Sequence, residues 1–251
     1  MKKLLLILLC VALIGLGQLT YVPDDNFEAY LEANGMGNGI PNDDYVTTAS
    51  IDTVTVLDIP FSTISDLTGI EGFTALEVLW CTGNQLTTLD VSNNTALTEL
   101  WCPYNQLTTL DVSNNTALTD LKCHHNQLTT LNVSQNTALT RLLCGDNQLT
   151  TLDVRNGNNT NFVIFMCENN PQLYCIDVDD ATWSTTNWTV ANGHIDPQHY
   201  FSSNCSETLI EEHTTNKELL RTIDVLGRET KNEPLFYIYD DGTVEKRITI
   251  E

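Results

Sequence analysis

"LTELWCPYNQLTTLDVSNNTA" (residues 97–117) sets a cysteine beside a tryptophan, contains two similar half-phrases, and recurs along the chain. Aligned on cysteine, the copies are "LEVLWCTGNQLTTLDVSNNTA" from Leu76, the quoted stretch from Leu97, "LTDLKCHHNQLTTLNVSQNTA" from Leu118 and "LTRLLCGDNQLTTLDVRN" from Leu139, at a 21-residue period. A fifth, "FVIFMCENNPQLYCIDVDD", starts at Phe162 after a 23-residue spacing, and a degenerate earlier one occupies residues 54–75. Self-similarity at this period indicates a solenoid, in which each coil buries its apolar edge only against its neighbours.

Within a period, L-x-x-L-x-C-x-x-N is followed by L-x-x-L-x-V-x-x-N, as in Leu97, Leu100, Cys102, Asn105 and then Leu107, Leu110, Val112, Asn115. An extended segment sends alternate side chains to opposite faces, so Leu100 and Cys102 point inward while Trp101 points outward. Each asparagine can turn inward and bond backbone groups freed at the bend. This predicts an amide column at Asn84, Asn105, Asn126, Asn147 and Asn170, and a second at Asn94, Asn115 and Asn136.

These repeats resemble leucine-rich repeats, close to the short class of internalin-like bacterial proteins, over residues 54–178. The run "ISDLTGIEGFTALEVL" from Ile64 is especially similar to that class. Cysteine at the inner strand position, where the class has Leu or Ile, resembles secreted proteins of Bacteroidetes-like bacteria. The resemblance implies a leucine-rich repeat solenoid with parallel short strands and a binding rather than catalytic role.

An open stack needs closed ends. "PDDNFEAYLEANG" from Pro23 has acidic residues in a first turn, Phe27, Tyr30 and Leu31 at helical spacing, and Gly35 as a stop, so residues 18–53 are expected to form a helical N-terminal cap. Residues 179–205, with two tryptophans, are expected to form the C-terminal cap. Beyond a polar linker, residues 206–251 offer strand-like runs and an Asp241-Gly242 turn. This tail resembles an abbreviated type IX secretion sorting domain, carried by Leu226-Gly227-Arg228, Gly242 and Lys246-Arg247-Ile248. It is shorter than the full sandwich of that family.

Residues 1–17 read as a secretory signal peptide: Lys2 and Lys3, an apolar run, then Gly15-Leu16-Gly17 as a small-x-small cleavage site. Lipidation at Cys10 is disfavoured because Leu9 stands where a small residue is expected. No later run reaches the roughly 18 apolar residues of a spanning helix. The chain is therefore expected to be secreted or held at the outer cell surface, as a monomer. A formal charge of -22 repels phosphate backbones, which argues against nucleic acid as partner.

Cys81, Cys102, Cys123, Cys144 and Cys167 take equivalent inward positions on adjacent strands. A tetrahedral zinc site needs four convergent donors, which a linear column does not supply. Buried cysteine acts as a small hydrophobe, so these five read as a structural ladder with no metal. Cys175 and Cys205 lie off the ladder, and in an exported chain they are expected to pair and pin the cap to the last coil. In "KCHHN", alternation separates Cys123 from His124, and no catalytic motif or cofactor signature appears.

Function is then expected on outward positions. Trp80 and Trp101 read as exposed neighbours, and with Tyr104, Lys122 and His124 they form the expected binding strip for a protein or glycan. The second strand's outward column, Asp90, Asp111, Asn132, Asp153 and Asp177, reads chiefly as a soluble face. The alternative is a structural surface protein whose acidic faces are bridged by cations.

Overall fold

The computed structural model describes residues 17–205, 219–223, 236–239 and 244–246. The expected signal peptide up to residue 16, the Asp241-Gly242 turn and most of the expected sorting-tail motif lie outside the described residues. The chain divides into two compact units, the second starting at Ser206.

In the first unit, a helix α1 (Asp25–Ala33) follows strand β1 (Leu19–Tyr21), which pairs antiparallel with β2 (Tyr45–Thr47); a short helix α2 (Thr48–Ile51) leads into the repeats. Strands β3 (Val56–Asp58), β4 (Val78–Trp80), β5 (Glu99–Trp101) and β6 (Asp120–Lys122) then rise one per coil. The second half-phrase adds β7 (Thr130–Asn132), which alternates along the chain with β8 (Arg141–Leu143), β9 (Thr151–Asp153), β10 (Ile164–Met166) and β11 (Cys175–Asp177). Helix α3 (Ala181–Asn187) and β12 (Tyr200–Ser202) close this unit. One parallel sheet runs β3-β4-β5-β6-β8-β10 and a second β7-β9-β11-β12, the side-by-side ladders of a leucine-rich repeat solenoid.

The strands are only three residues long because each coil must turn again at once. Their strength comes from the core enclosed by the coils. Leu97, Leu100, Cys102, Leu107, Leu110 and Val112 of one coil are all buried, at about 1.5–3 kcal/mol for each large aliphatic side chain. The 23-residue spacing is absorbed by a short helical turn at Asn159–Asn161, where the buried Asn159 amide donates to Val154 O.

Asp24 joins the N-terminal cap to the first coil. One carboxylate oxygen caps α1 by accepting from the Asn26 and Phe27 N–H groups, and the other accepts from Ser65 N, Ser65 Oγ and Asp66 N. Burial raises its pKa, but these donors together outweigh it and leave the group below the usual carboxylate range. A depressed carboxylate adds stability above its unfolded value and loses it as pH falls through the folded one. Asp24→Ala is therefore expected to lower stability by about 2 kcal/mol at pH 7, with less difference from the parent near pH 3, as measured by urea unfolding across pH.

At the far end, the Asp180 carboxylate caps α3 by accepting from Trp183 N. Trp188 is buried, with its ring 4.0 Å from Phe165 and also against Phe162, Trp183 and Phe201. The last ladder N–H, on Cys167, donates to His194 O. A disulfide joins Cys175 to Cys205.

In the second unit, β13 (Leu219–Ile223), β14 (Phe236–Tyr239) and β15 (Val244–Lys246) form an antiparallel sheet in that order.

Candidate functional site

The interior of the first sheet holds the cysteine and asparagine columns. Cys81, Cys102, Cys123, Cys144 and Cys167 are free thiols at 0% exposure. Each asparagine ties coils together: Asn126 Nδ2 donates to Cys102 O at 3.0 Å and Cys123 O at 3.1 Å, while its Oδ1 accepts from Leu107 N at 3.0 Å. Asn105, Asn147 and Asn170 repeat the pattern one coil apart. Asn84 does so at the first coil, donating to Ile59 O and Cys81 O. The cysteine thus supplies a small apolar side chain and a carbonyl that two amides can reach.

Burial pushes the Cys102 thiol up to about 12, and Cys81, Cys123, Cys144 and Cys167 rise well above the ordinary thiol value for the same main reason. At pH 8 almost no thiolate forms. The ladder thiols are expected to resist a disulfide reagent for hours in the native protein and to react together only in denaturant, as read by intact mass. Rapid native labelling of any one would contradict the closed ladder.

Sequence reasoning missed one arrangement of catalytic residue types. Cys167 Sγ lies 3.8 Å from His199 Nδ1, and His199 Nε2 lies 3.4 Å from Asp196 Oδ2. His199 Nδ1 also accepts from Asp196 N, and its Nε2 faces Asn170 O at 3.3 Å, which fits a neutral ring protonated at Nε2. Burial pushes the imidazole pKa down and the Cys167 thiol up. A nucleophile needs an accessible sulfur and a readily formed thiolate. Cys167 has neither, so the trio is a packing contact beneath the cap.

On the outer face, the register places Asp58, Trp80, Trp101, Lys122, Leu143 and Met166 on successive rungs. The tryptophans are not the exposed neighbours expected from the sequence. They are half-buried, because strand spacing of about 4.8 Å lets the rings cover each other: their centroids are 4.5 Å apart at 15°. Lys122 Nζ sits 3.2 Å from the Trp101 ring centroid. Lys122 is thus committed to a cation–π contact, which leaves little free charge to offer a ligand.

Beside the stack, Asp120 is 7% exposed and bridges two cations, with Oδ2 at 3.3 Å from Arg141 Nε and 4.0 Å from Lys122 Nζ. Burial pushes its carboxyl above the usual range against the pull of both. His124 is half-buried, and burial followed by the neighbouring His125 pulls its pKa down.

A second column was not read from the sequence. Phe61, Gly83, Tyr104, His125, Asp146 and Asn169 follow the strands on the same six coils, all with left-handed φ between 51° and 70°. Non-glycine residues there bear about 1–2 kcal/mol of strain each. Their side chains nevertheless line up: the Tyr104 and His125 rings stack at 4.3 Å, His125 lies 3.5 Å from Asp146, and Asn169 donates to Asp146 at 3.1 Å. Phe61 and Tyr104 are 74% and 53% exposed. The alignment did hold a signal, since glycine, aspartate and asparagine in one slot are the residues that best tolerate that conformation.

The acidic column in line with the second sheet differs, and its first two members, Asp90 and Asp111, precede that sheet's first strand, β7. Asp90, Asp111, Asn132 and Asp153 each accept the N–H two residues on, at Ser92, Ser113, Ser134 and Arg155. Asp177 accepts from Cys205 N. Among the described residues, no group of three His, Cys, Asp or Glu side chains is placed to hold a metal ion, and no helix is long and apolar enough to cross a membrane.

The stacked parallel ladders with an internal cysteine column match a solved structure, the functional domain of InlJ from Listeria monocytogenes, described as including a cysteine ladder. The two share 41% identity with a TM-score of 0.55, covering 64% of this chain and 38% of that one. Internalin J of Listeria monocytogenes serotype 4b (strain F2365) is 43% identical over 74 residues. The chain is thus similar to an internalin and folds as a leucine-rich repeat solenoid. An internalin, InlF, of the same species is 22% identical with a TM-score of 0.44, covering 64% of this chain and 52% of that one. No protein-family model matches the chain. The match to Internalin J covers 30% of this chain and only 8% of the length of that protein.

Proposed function

We propose that this internalin-like chain is an exported, non-catalytic scaffold that binds a protein partner through the outer face of its first sheet. The observation that carries the reading is the pair of aromatic columns on one rigid ladder. Trp80 and Trp101 form a stacked platform, and Phe61 and Tyr104 stand exposed beside it on strained backbone. Aromatic side chains bring large contact area at low entropic penalty, and a preformed face loses little freedom on binding. His124 and Arg141 provide polar contacts beside that platform, while Lys122, over Trp101 and paired with Asp120, completes the platform itself.

Export is supported by the signal-peptide-like leader and by the disulfide, since such bonds persist in oxidising compartments. The type IX resemblance of the tail adds a sorting role for residues 206–251. The cation-bridged alternative is less well supported, because the acidic column is already used in the turns that follow each second strand. The test is capture from cell-surface and host extracts with the full mature chain, against a Trp80→Ala/Trp101→Ala variant whose circular dichroism matches the parent. Partners retained by the parent should be lost by the variant. Equal retention would remove the proposed face.

A further inference from the structure

Residues 17–205 hold 22 acidic side chains but only three basic ones, Lys122, Arg141 and Arg155. Each of the three is already paired. Lys122 and Arg141 share Asp120, and Arg155 lies 2.6 Å from Asp153 and 3.5 Å from Asp177. The acidic field of this unit is therefore largely unanswered from within.

The indole stack has two ends. On the Trp101 side, rung by rung, the stack is finished by the Lys122 ammonium, 3.2 Å from the ring centroid. On the Trp80 side the next position in register is Asp58, an exposed carboxylate. The face of an aromatic ring carries negative potential, so a carboxylate is a poor neighbour for it and a cation a good one. Tyr30 Oη donates to the Asp58 backbone carbonyl at 2.9 Å. The Asp58 charge acts on that hydroxyl: burial first, and Asp58 second, push the Tyr30 pKa up. Exposed Phe61 and Val56 flank the same rung and offer apolar surface to an aliphatic stem.

We propose that the Trp80 end of the stack, with Asp58, receives an arginine or lysine side chain of a protein partner. The incoming cation would mirror Lys122, lying over Trp80 as Lys122 lies over Trp101 and pairing with the Asp58 carboxylate. The partner segment is basic, which the 22-to-3 imbalance of the unit favours during encounter. This inference rests on the outer face being the binding face, and it adds what that face recognises.

The test titrates the full mature chain with a hexa-arginine peptide by calorimetry at about 0.15 M salt, where the unspecific field is screened beyond about 8 Å. Asp58→Asn and Trp80→Leu are each expected to weaken binding about fivefold to twentyfold. Asp111→Asn, which removes an exposed charge from the acidic column away from the indole stack, should change it less than twofold. Asp58→Asn removes one exposed charge and keeps the test valid if Trp80→Leu disturbs the stack.

Equal losses for Asp58→Asn and Asp111→Asn would overturn the proposal, because they would show attraction by net charge alone. Heat from a neutral chito-oligosaccharide with none from hexa-arginine would overturn it in favour of a sugar on the same platform. If hexa-arginine fails while the tryptophan variant still loses its captured partners, the binding face stands and the basic side chain does not. If the captured partners are retained as well, both fall.

Discussion

Replacing Asn126 by alanine should destabilise the repeats by about 3–4 kcal/mol, more than any single surface change in the same coil. The amide makes three buried hydrogen bonds that no water can replace in place. The losses are unequal. Cys102 O keeps a bond from Asn105, and Cys123 O keeps one from Asn147, so each carbonyl is weakened rather than orphaned. Leu107 N bonds only the Asn126 oxygen and would be left bare, with a small cavity beside it.

The second amide column supplies an internal control. Asn115 Nδ2 donates to Val91 O and Asn94 O, but its Oδ1 is buried without a partner. Asn115→Ala removes an unsatisfied acceptor along with two bonds, so it should be milder by about 1–2 kcal/mol. Urea unfolding of both variants, followed by circular dichroism, checks the order. Equal effects would show that the Asn126 oxygen contributes nothing despite its bond from Leu107 N.

Removing the Cys175–Cys205 bond should cost about 3–4 kcal/mol in the chain-entropy account, given a sequence separation of 30 residues. The loss should be local. Coils of a solenoid contact only their neighbours, so a free C-terminal cap can open while the inner coils stay folded. In a Cys175→Ala/Cys205→Ala variant, amide exchange should accelerate first in Tyr200–Ser202 and Ala181–Asn187, the elements packed on the last coil. Around Leu100 and Leu121 it should change little. Uniform acceleration along the whole ladder would show that the unit unfolds as one block and that the bond stabilises more than the cap.

Much of the fold could be read because the repeat states the same physical demand five times. Leu100 and Cys102 must face in, Trp101 must face out, and Asn105 must answer the backbone at the bend. The pairing of Cys175 with Cys205 was legible for another reason, as these two cysteines lie off the repeat. Alternation gave the side of the sheet but not the degree of exposure. Trp80 and Trp101 cover each other because a strand spacing close to a ring-stacking distance brings identical rungs together, and one rung read alone does not reveal that. The left-handed column escaped because Phe61, Tyr104 and His125 are poor predictors of positive φ, while the residues that do predict it, Gly83, Asp146 and Asn169, lie on other coils. The contact among Cys167, His199 and Asp196 depends on how the cap folds back, which no local pattern encodes.

Hydroxyl-radical footprinting of the full chain, free and saturated with a captured partner, tests most directly whether the outer face of the first sheet is the binding face. Protection is expected at Phe61, Trp80, Trp101, Tyr104 and His125, with no change around Asp90, Asp111 and Asn132. Protection confined to the second sheet, with the aromatic columns as reactive as in the free protein, would contradict it.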